Sequence, residues 1–126
     1  MKKKTFSYGS PPYKVEAQLT FIGSDLLVAL YGGSHPHIGS VAVALPRPSR
    51  KDKKRMSATS SVYNFLGHKD DVIAQRVAER LASGLNKNVV VVAGVHIDGI
   101  TEKGIERVIE NCDKLAKMIY ELMNHL

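Results

Sequence analysis

Alternating apolar and polar side chains mark the first regular element of this chain. From Tyr13 to Phe21 every second residue is apolar, and the residues between them are polar or charged. This period of two is typical of a strand with one face toward solvent. After a turn at 22–25, the apolar run at residues 26–31 predicts a second strand that pairs antiparallel with the first, and residues 38–45 predict a third.

Helical spacing begins in the second half of the chain. Asp70 or Asp71 can cap a helix in which apolar residues recur four positions apart. These apolar residues are Ile73, Val77, Leu81 and Leu85. A nearly continuous β-branched run at residues 89–93 then predicts a strand that is covered on both faces.

The last predicted helix, which Thr101 caps, carries a heptad-like apolar seam. The seam consists of Ile105, Ile109, Cys112, Ala116, Ile119, Met123 and Leu126, and it is widened by Val108, Leu115 and Leu122. A small sheet rarely needs so wide a face to cover it. The sequence therefore predicts a homodimer through residues 105–126, and a helix packed wholly on its own sheet is the open alternative.

The predicted order of elements is β-β-β-(β)-α-β-α, in which the bracketed strand is a short one at residues 60–66. Because several strands precede the first helix, we predict an α+β fold with a mainly antiparallel sheet and two helices. The chain has the length of a single domain, residues 1–126. Within it we predict a flexible N-terminus at 1–12 and a mobile basic loop at 46–61, which is rich in proline and serine.

The net charge of +6 is concentrated in two short segments. Residues 47–55 carry six basic residues against one aspartate, and Lys2 to Lys4 add three more. The remainder of the chain is slightly acidic, so the basic composition does not describe the whole surface. No aromatic residue that could stack on a base lies among the basic residues 47–55. We therefore predict a solvated loop there, and no nucleic-acid partner.

The sequence predicts a cytoplasmic protein without a membrane span. The basic residues 2–4 are followed by polar residues and prolines, where a secretory signal requires an apolar run. No apolar stretch approaches the roughly 20 residues that cross a bilayer. The single cysteine, Cys112, cannot form an internal disulfide, and its place on the apolar side of the last helix predicts a buried thiol.

Four of the five histidines lie in three short segments that also contain glycine, at residues 32–39, 67–71 and 94–98. Each segment adjoins the end of an apolar element, so we predict that the three meet in one polar site. Glycine leaves room for close approach, and histidine serves proton, metal or phosphate chemistry near neutral pH. The candidate residues are Gly32, Gly33, His35, His37, His68, Lys69, Gly94, His96 and Asp98.

Local geometry supports this grouping. Pro36 disfavours a helical backbone at His35, so His35 and His37 project to one side of an extended stretch. Alternation along the last predicted strand places three further candidates on one face, namely Gly94, His96 and Asp98. The missing side chain of the glycine is expected to leave a slot on that face.

Three interpretations of these residues stay open. A pocket for a phosphate-bearing ligand uses all of them, because Lys69 and the N-terminus of the following helix supply positive charge. A transition-metal site could draw on the histidines and Asp98, but their spacing fits no zinc rule, and we do not expect a metal. Alternatively, the backbone satisfies the histidines at the strand ends and they bind nothing. No catalytic residue is predicted, because the spacing defines no nucleophile paired with a base.

The same segments resemble the prenylated-flavin chaperones, small proteins similar to the D-type subunit of gallate-type decarboxylases. The resemblance rests on Gly32-Gly33 and on residues 36–39, 68–71 and 92–98, with Ile100-Thr101 opening the last helix. It covers about residues 26–112. It implies an α+β fold akin to the proteasome assembly chaperones, a dimer, and the handling or delivery of prenylated FMN to a decarboxylase client.

Residues and resemblance together predict a non-enzymatic binding or chaperone protein whose ligand is prenylated FMN or FMN. Two alternatives remain at this stage. One is a small metal-dependent or phosphate-processing enzyme that uses the histidine cluster. The other is an assembly chaperone that binds only protein.

Overall fold

Six strands and two helices make up the fold, which is described here from a computed structural model over residues 2–65 and 70–124. The elements are β1 (Lys3–Tyr8), β2 (Val15–Ile22), β3 (Asp25–Gly33), β4 (Ser40–Pro48), β5 (Met56–Asn64), α1 (Asp71–Leu85), β6 (Val89–His96) and α2 (Glu102–Met123). They form one sheet in the order β1-β2-β3-β6-β4-β5. The pair β3 and β6 is parallel and the other neighbours are antiparallel. The predicted α+β fold with a mainly antiparallel sheet is confirmed.

Both helices pack against the same side of the sheet. Alternation along the strands sends one set of apolar side chains toward the helices, and the largest fully buried members of the core come from both layers. They include Leu19, Leu30, Leu81, Leu115 and Ile119. At roughly 25 cal/mol per Å² of apolar surface, burial of side chains like these is the main stabilising contribution to such a fold.

Strand β6 lies in the middle of the sheet, where its β-branched residues make contacts on both sides. Val89 and Val91 are fully buried beneath the helices, whereas Val90 and Val92 on the opposite side are half-buried. The sequence predicted cover on both faces of this strand. Within the chain, the helices cover one of them.

Helix α2 uses most of its apolar seam inside the chain. Its start is capped as predicted, since the Gly104 N–H donates to Thr101 Oγ1 at 3.1 Å. Burial raises the pKa of the Cys112 thiol to about 12, and the predicted buried cysteine is confirmed. Ile105 and Leu122 are the seam residues that the described part of α2 leaves exposed. Neither helix, within the described residues, combines the length and apolar character needed to span a membrane.

The N-terminal segment, for which we predicted flexibility over residues 1–12, contains strand β1. Its six residues pair in register with β2, from Lys3 opposite Thr20 to Tyr8 opposite Val15. Phe6 and Tyr8 pack against the core from the helix side of the sheet. The polar residues between them concealed this alternation in the sequence, because only two apolar side chains identify the buried face.

The basic segment at 46–61 is a continuation of two strands joined by a short tip. Residues 46–48 end β4 and residues 56–61 begin β5, so the bracketed strand of the sequence prediction is real and starts earlier than residue 60. Ser60 explains why a polar segment forms this strand: its hydroxyl bonds to both Gln75 and Glu79 of α1. These helix contacts lie 15 and 19 residues away and leave no local periodicity to detect.

Candidate ligand-binding site

Parallel pairing of β3 with β6 brings two of the histidine segments together. Gly33, at the end of β3, lies opposite His96, at the end of β6. The Ser34 N–H donates to the His96 carbonyl at 2.8 Å, which ties the connection between β3 and β4 to the end of β6. The His96 ring centroid lies 5.6 Å from that of His35 and 6.3 Å from that of His37. The sequence-predicted residues His35, His37 and His96 therefore meet in one cluster.

Asp98 holds the exposed side of this cluster. His96 Nε2 donates to Asp98 Oδ1 at 2.9 Å, and His35 Nε2 lies 3.3 Å from Asp98 Oδ2. The hydrogen bond from His96 lowers the pKa of the Asp98 carboxyl, and the charge of His35 acts in the same direction. The Asp98 side chain is 73% exposed, so the carboxylate and both imidazoles are accessible to an incoming ligand.

Asp70 holds the buried side of the cluster. Its Oδ1 accepts the Val95 N–H at 3.0 Å, and its Oδ2 lies 3.3 Å from His37 Nε2. His37 Nδ1 lies 3.1 Å from the His35 carbonyl oxygen, so both ring nitrogens face acceptors. Asp70 itself is 6% exposed.

The role of Asp70 differs from the predicted one. Asp70 occupies the N-cap position of α1, as expected, but its side chain makes no capping hydrogen bond. The carboxylate reaches across to β6 and to His37 instead, because a buried carboxylate needs partners that compensate for lost water. Asp70 was absent from the candidate list. Asp70 lies in a run of charged residues just before a helix, and that pattern predicted only a helix cap.

The predicted slot at Gly94 is filled by the chain itself. A Cβ at Gly94 would overlap the carbonyl group of His37, so the missing side chain admits backbone and no ligand. Gly33 has φ of +80° and lies against the His96 carbonyl. A Cβ at Gly32 would lie 2.6 Å from the Lys14 carbonyl oxygen. These glycines let neighbouring segments pack closely at the strand ends.

An apolar groove of about 470 Å³ adjoins the cluster on the helix side of the sheet. It runs between the start of α1, the end of β6 and the first turns of α2. Eight aliphatic side chains form most of its lining: Val72, Ile73, Val95, Ile97, Ile100, Ile105, Val108 and Ile109. His37, His96 and Asp70 line it as well, together with Asp71. Its volume and mixed lining are typical of sites for small organic molecules.

A second cavity of about 390 Å³ lies on the other side of the connection between β3 and β4. Gly32 and Gly33 line it, so the structure distributes the candidate residues between two cavities. Tyr31 and Glu16 form one wall, and burial followed by the hydrogen bond to Glu16 raises the pKa of Tyr31. Lys14 also lines this cavity, with its Nζ 3.7 Å from Glu16 Oε1.

Two of the predicted binding residues, His68 and Lys69, lie outside the residues that the structure describes, as does Gly67. Their contribution to the site stays a prediction. Over residues 2–65 and 70–124, no group of three or more histidine, cysteine, aspartate or glutamate side chains is arranged to hold a metal ion.

Comparison with known proteins identifies the family. Residues 9–124 match the model of the prenylated flavin chaperone LpdD-like domain. The chain belongs to this family. The resemblance predicted from the three histidine-containing segments is therefore confirmed, and the match extends beyond them to nearly the whole chain.

A curated relative supports the assignment. The protein LpdD of Lactiplantibacillus plantarum (strain ATCC BAA-793 / NCIMB 8826 / WCFS1) is 31% identical over 115 residues, which cover 91% of this chain and 81% of LpdD. A crystal structure of a chaperone complex for yeast 20S proteasome assembly contains a chain with the same fold. Its TM-score is 0.60 at 16% identity, and the alignment covers 99% of this chain and 98% of that one. The predicted likeness to proteasome assembly chaperones is confirmed for the fold.

Proposed function

We propose that this protein binds prenylated FMN without transforming it and delivers it to a decarboxylase. One observation carries the proposal: an apolar groove of about 470 Å³ meets the histidine and aspartate cluster at the ends of β3 and β6. Membership of the prenylated flavin chaperone family supports this choice of ligand.

The chemistry of the groove fits a ligand with a flat apolar ring system and polar edges. Aliphatic walls such as Ile97, Ile100 and Ile109 exclude water from the faces of a ring. His96, which also lines the groove, offers a hydrogen bond to the ring nitrogens and oxygens. A flavin combines these features, and a prenyl-derived extension adds further apolar surface to bury.

The phosphate of the ligand needs positive charge, which we assign to Lys69 and the N-terminus of α1. The described lining of the groove contributes two carboxylates, Asp70 and Asp71, and no lysine or arginine. The first N–H groups of a helix and the helix dipole favour an anion. Lys69 immediately precedes these residues in the sequence, and its ammonium group would offset their negative charge.

The exposed side of the cluster suits a protein that releases its ligand. His35 and Asp98 have side chains 66% and 73% exposed, so a bound molecule would be reachable from solvent and by a client. A carrier must bind its cargo tightly enough to protect it and loosely enough to hand it on. Delivery to a decarboxylase client is part of this proposal.

Flavin binding is tested by titrating the purified protein with FMN, and with reduced prenylated FMN under anaerobic conditions, while flavin fluorescence is recorded. Ile105→Asp places a charge in the groove, where it would face the flavin ring. Leu122→Asp is the matched control, because Leu122 is an exposed aliphatic residue of the same helix outside the groove lining. We expect Ile105→Asp to weaken binding at least about 10-fold, and the control to bind like the unmodified protein.

A second pair of measurements tests the polar contacts. His96→Ala should weaken binding of both FMN and riboflavin by about 5-fold, the effect of one hydrogen bond. Lys69→Ala should weaken binding of FMN and leave riboflavin unaffected, since riboflavin has no phosphate. Equal affinity of the unmodified protein, Ile105→Asp and His96→Ala for prenylated FMN would contradict the proposed site.

A further inference from the structure

We propose that the side of the sheet opposite α1 and α2, called the open face below, is the contact between two copies of this chain. The proposal concerns assembly and does not depend on flavin binding. It replaces the helix α2 contact that the sequence predicted with a different surface.

The centre of the open face is a continuous apolar patch. Strand register places Leu27 beside Val90 and Val90 beside Val43 in one row. The adjacent row contains Ala29, Val92 and Val41 in the same arrangement. Alternation turns all six side chains away from the helices, and each is at most partly buried within the chain.

The patch extends outward onto β4 and β5. Val43 is 41% exposed, Leu45 is 50% exposed and Tyr63 is 71% exposed. Register sets Tyr63 opposite Val41, so it shares the open face with the valines. Monomeric proteins rarely leave contiguous apolar surfaces of this kind in contact with water. A second layer packed on the sheet would bury them, as in a β-sandwich.

The size of the open face fits a stable dimer. Strands lie about 4.8 Å apart and rise about 3.4 Å per residue, so six strands of eight residues cover roughly 780 Å² in projection. A standard protein interface buries about 800 Å² on each partner. The open face therefore has the area that a stable contact requires.

Charge distribution favours a second copy as the occupant. In a twofold dimer the same patch faces itself, so a charge near the axis would meet its own like charge. The described residues of the two central rows are uncharged, from Leu27 and Ala29 across to Val41 and Val43. Charged residues of this face lie outside these two rows, at Lys3, Glu16 and Asp25 on β1 to β3 and at Arg47 near the end of β4.

Helix α2 offers a poorer surface for the same contact. Among the seam residues that the structure describes, the exposed ones are Ile105 and Leu122, 17 positions apart, which corresponds to about 25 Å along a helix. The seam residues between them pack inside the chain, and Ile105 lines the groove. Two isolated contacts cannot form a continuous interface.

Sedimentation velocity of the full chain over a range of concentrations tests the proposal. We expect a species of twice the 13.8 kDa chain mass. Leu45→Lys and Leu122→Lys form a matched pair, because the two leucines are 50% and 51% exposed on the two competing surfaces. Leu45→Lys should raise the dimer dissociation constant about 100-fold, since each dimer would bury two unpaired charges. Leu122→Lys should leave it unchanged.

Circular dichroism establishes that each variant is folded, and Val43→Ser provides a gentler change on the open face if lysine at position 45 prevents folding. Dissociation by an open-face variant and retention of the dimer by Leu122→Lys support the proposal. A monomeric unmodified protein at ~100 µM would overturn it and leave the face to a different protein partner. Dimers that resist both open-face variants, or that Leu122→Lys disrupts equally, would also overturn it.

Discussion

Asp70 and Asp98 contact histidines of one cluster in opposite surroundings. Asp70 is 6% exposed, accepts a hydrogen bond from the Val95 N–H of β6 and lies 3.3 Å from His37 Nε2. Asp98 has a side chain 73% exposed and joins His35 to His96 at the surface. A buried carboxylate without partners is costly, whereas an exposed one can exchange its partners for water or for a ligand. We infer that Asp70 maintains the architecture of the site and that, under the proposed function, Asp98 is the carboxylate available to the ligand.

The largest effect is expected at Gly94 of β6, against which the segment that carries His37 packs directly. Gly94→Ala would drive a Cβ into the His37 carbonyl, and backbone cannot yield as a flexible side chain can. We expect a loss of about 3 kcal/mol in the free energy of unfolding, measured by urea denaturation. Gly23→Ala is the control, because a Cβ there meets no atom within 4 Å and only its φ of +60° opposes the change, at about 1 kcal/mol. Equal losses would show that the connection carrying His37 is not held against β6.

The next effect tests whether the buried carboxylate of Asp70 stabilises the fold, with its neighbour Asp71 as the control. Asp70→Ala removes the carboxylate that accepts from the Val95 N–H and lies beside His37 Nε2, and we expect a loss of about 2 kcal/mol in the free energy of unfolding. Its neighbour Asp71 lies in the first turn of α1, so Asp71→Ala should cost only the helix-dipole contribution of about 0.5 kcal/mol. A loss for Asp70→Ala no greater than that of Asp71→Ala would contradict the structural role assigned to Asp70.

Asp98→Asn should leave the folded state intact and act on the ligand. The side chain is largely exposed, so thermal unfolding should follow that of the unmodified protein. His35 and His96 lose the carboxylate that orients them, and under the proposed function FMN affinity should fall roughly 5-fold. A marked drop in melting temperature would place Asp98 in the framework together with Asp70.

The smallest effect is a shift in titration. The pKa of Asp98 lies below its ordinary value of 3.8, with the His96 hydrogen bond as the first cause and the His35 charge as a weaker one. A carboxyl with a lowered folded-state pKa contributes stability above its unfolded value, and the contribution is lost as the pH falls through the folded value. Carbon-13 NMR of the Asp98 carboxyl should therefore show a titration midpoint below the ordinary value of 3.8. His96→Ala should raise this pKa more than His35→Ala does, and the reverse order would revise the assignment of partners.

Periodicity predicted the elements whose own residues carry a clear buried face. In strand β2 apolar residues alternate with polar ones, and in helix α1 apolar residues recur every four positions. Both elements were located from the sequence. Strand β1 was not predicted, and β5 was located only in its second half. The side chains of both strands are mostly polar, and their pairing depends on neighbours elsewhere in the chain. For β5, the Ser60 contacts with α1 exist only once the helix has packed.

The sequence also predicted that His35, His37 and His96 meet, since glycine and histidine at the ends of apolar strands are readable locally. The slot that the sequence predicted at Gly94 is filled by the His37 carbonyl. Whether Gly94 opens a slot or admits the carbonyl of His37 depends on how two strand ends approach each other. In the sequence, a glycine within a strand looks the same in both cases.

By itself, the sequence determined the α+β class, the two amphipathic helices and the histidine-bearing segments, because residue periodicity and strand-end composition are local properties. Tertiary structure alone decided that β6 enters between β3 and β4, that Asp70 bonds to Val95 25 residues away, and that one side of the sheet stays open. These features arise from pairing between distant segments, where burial and hydrogen-bond satisfaction of the whole chain select one arrangement among many.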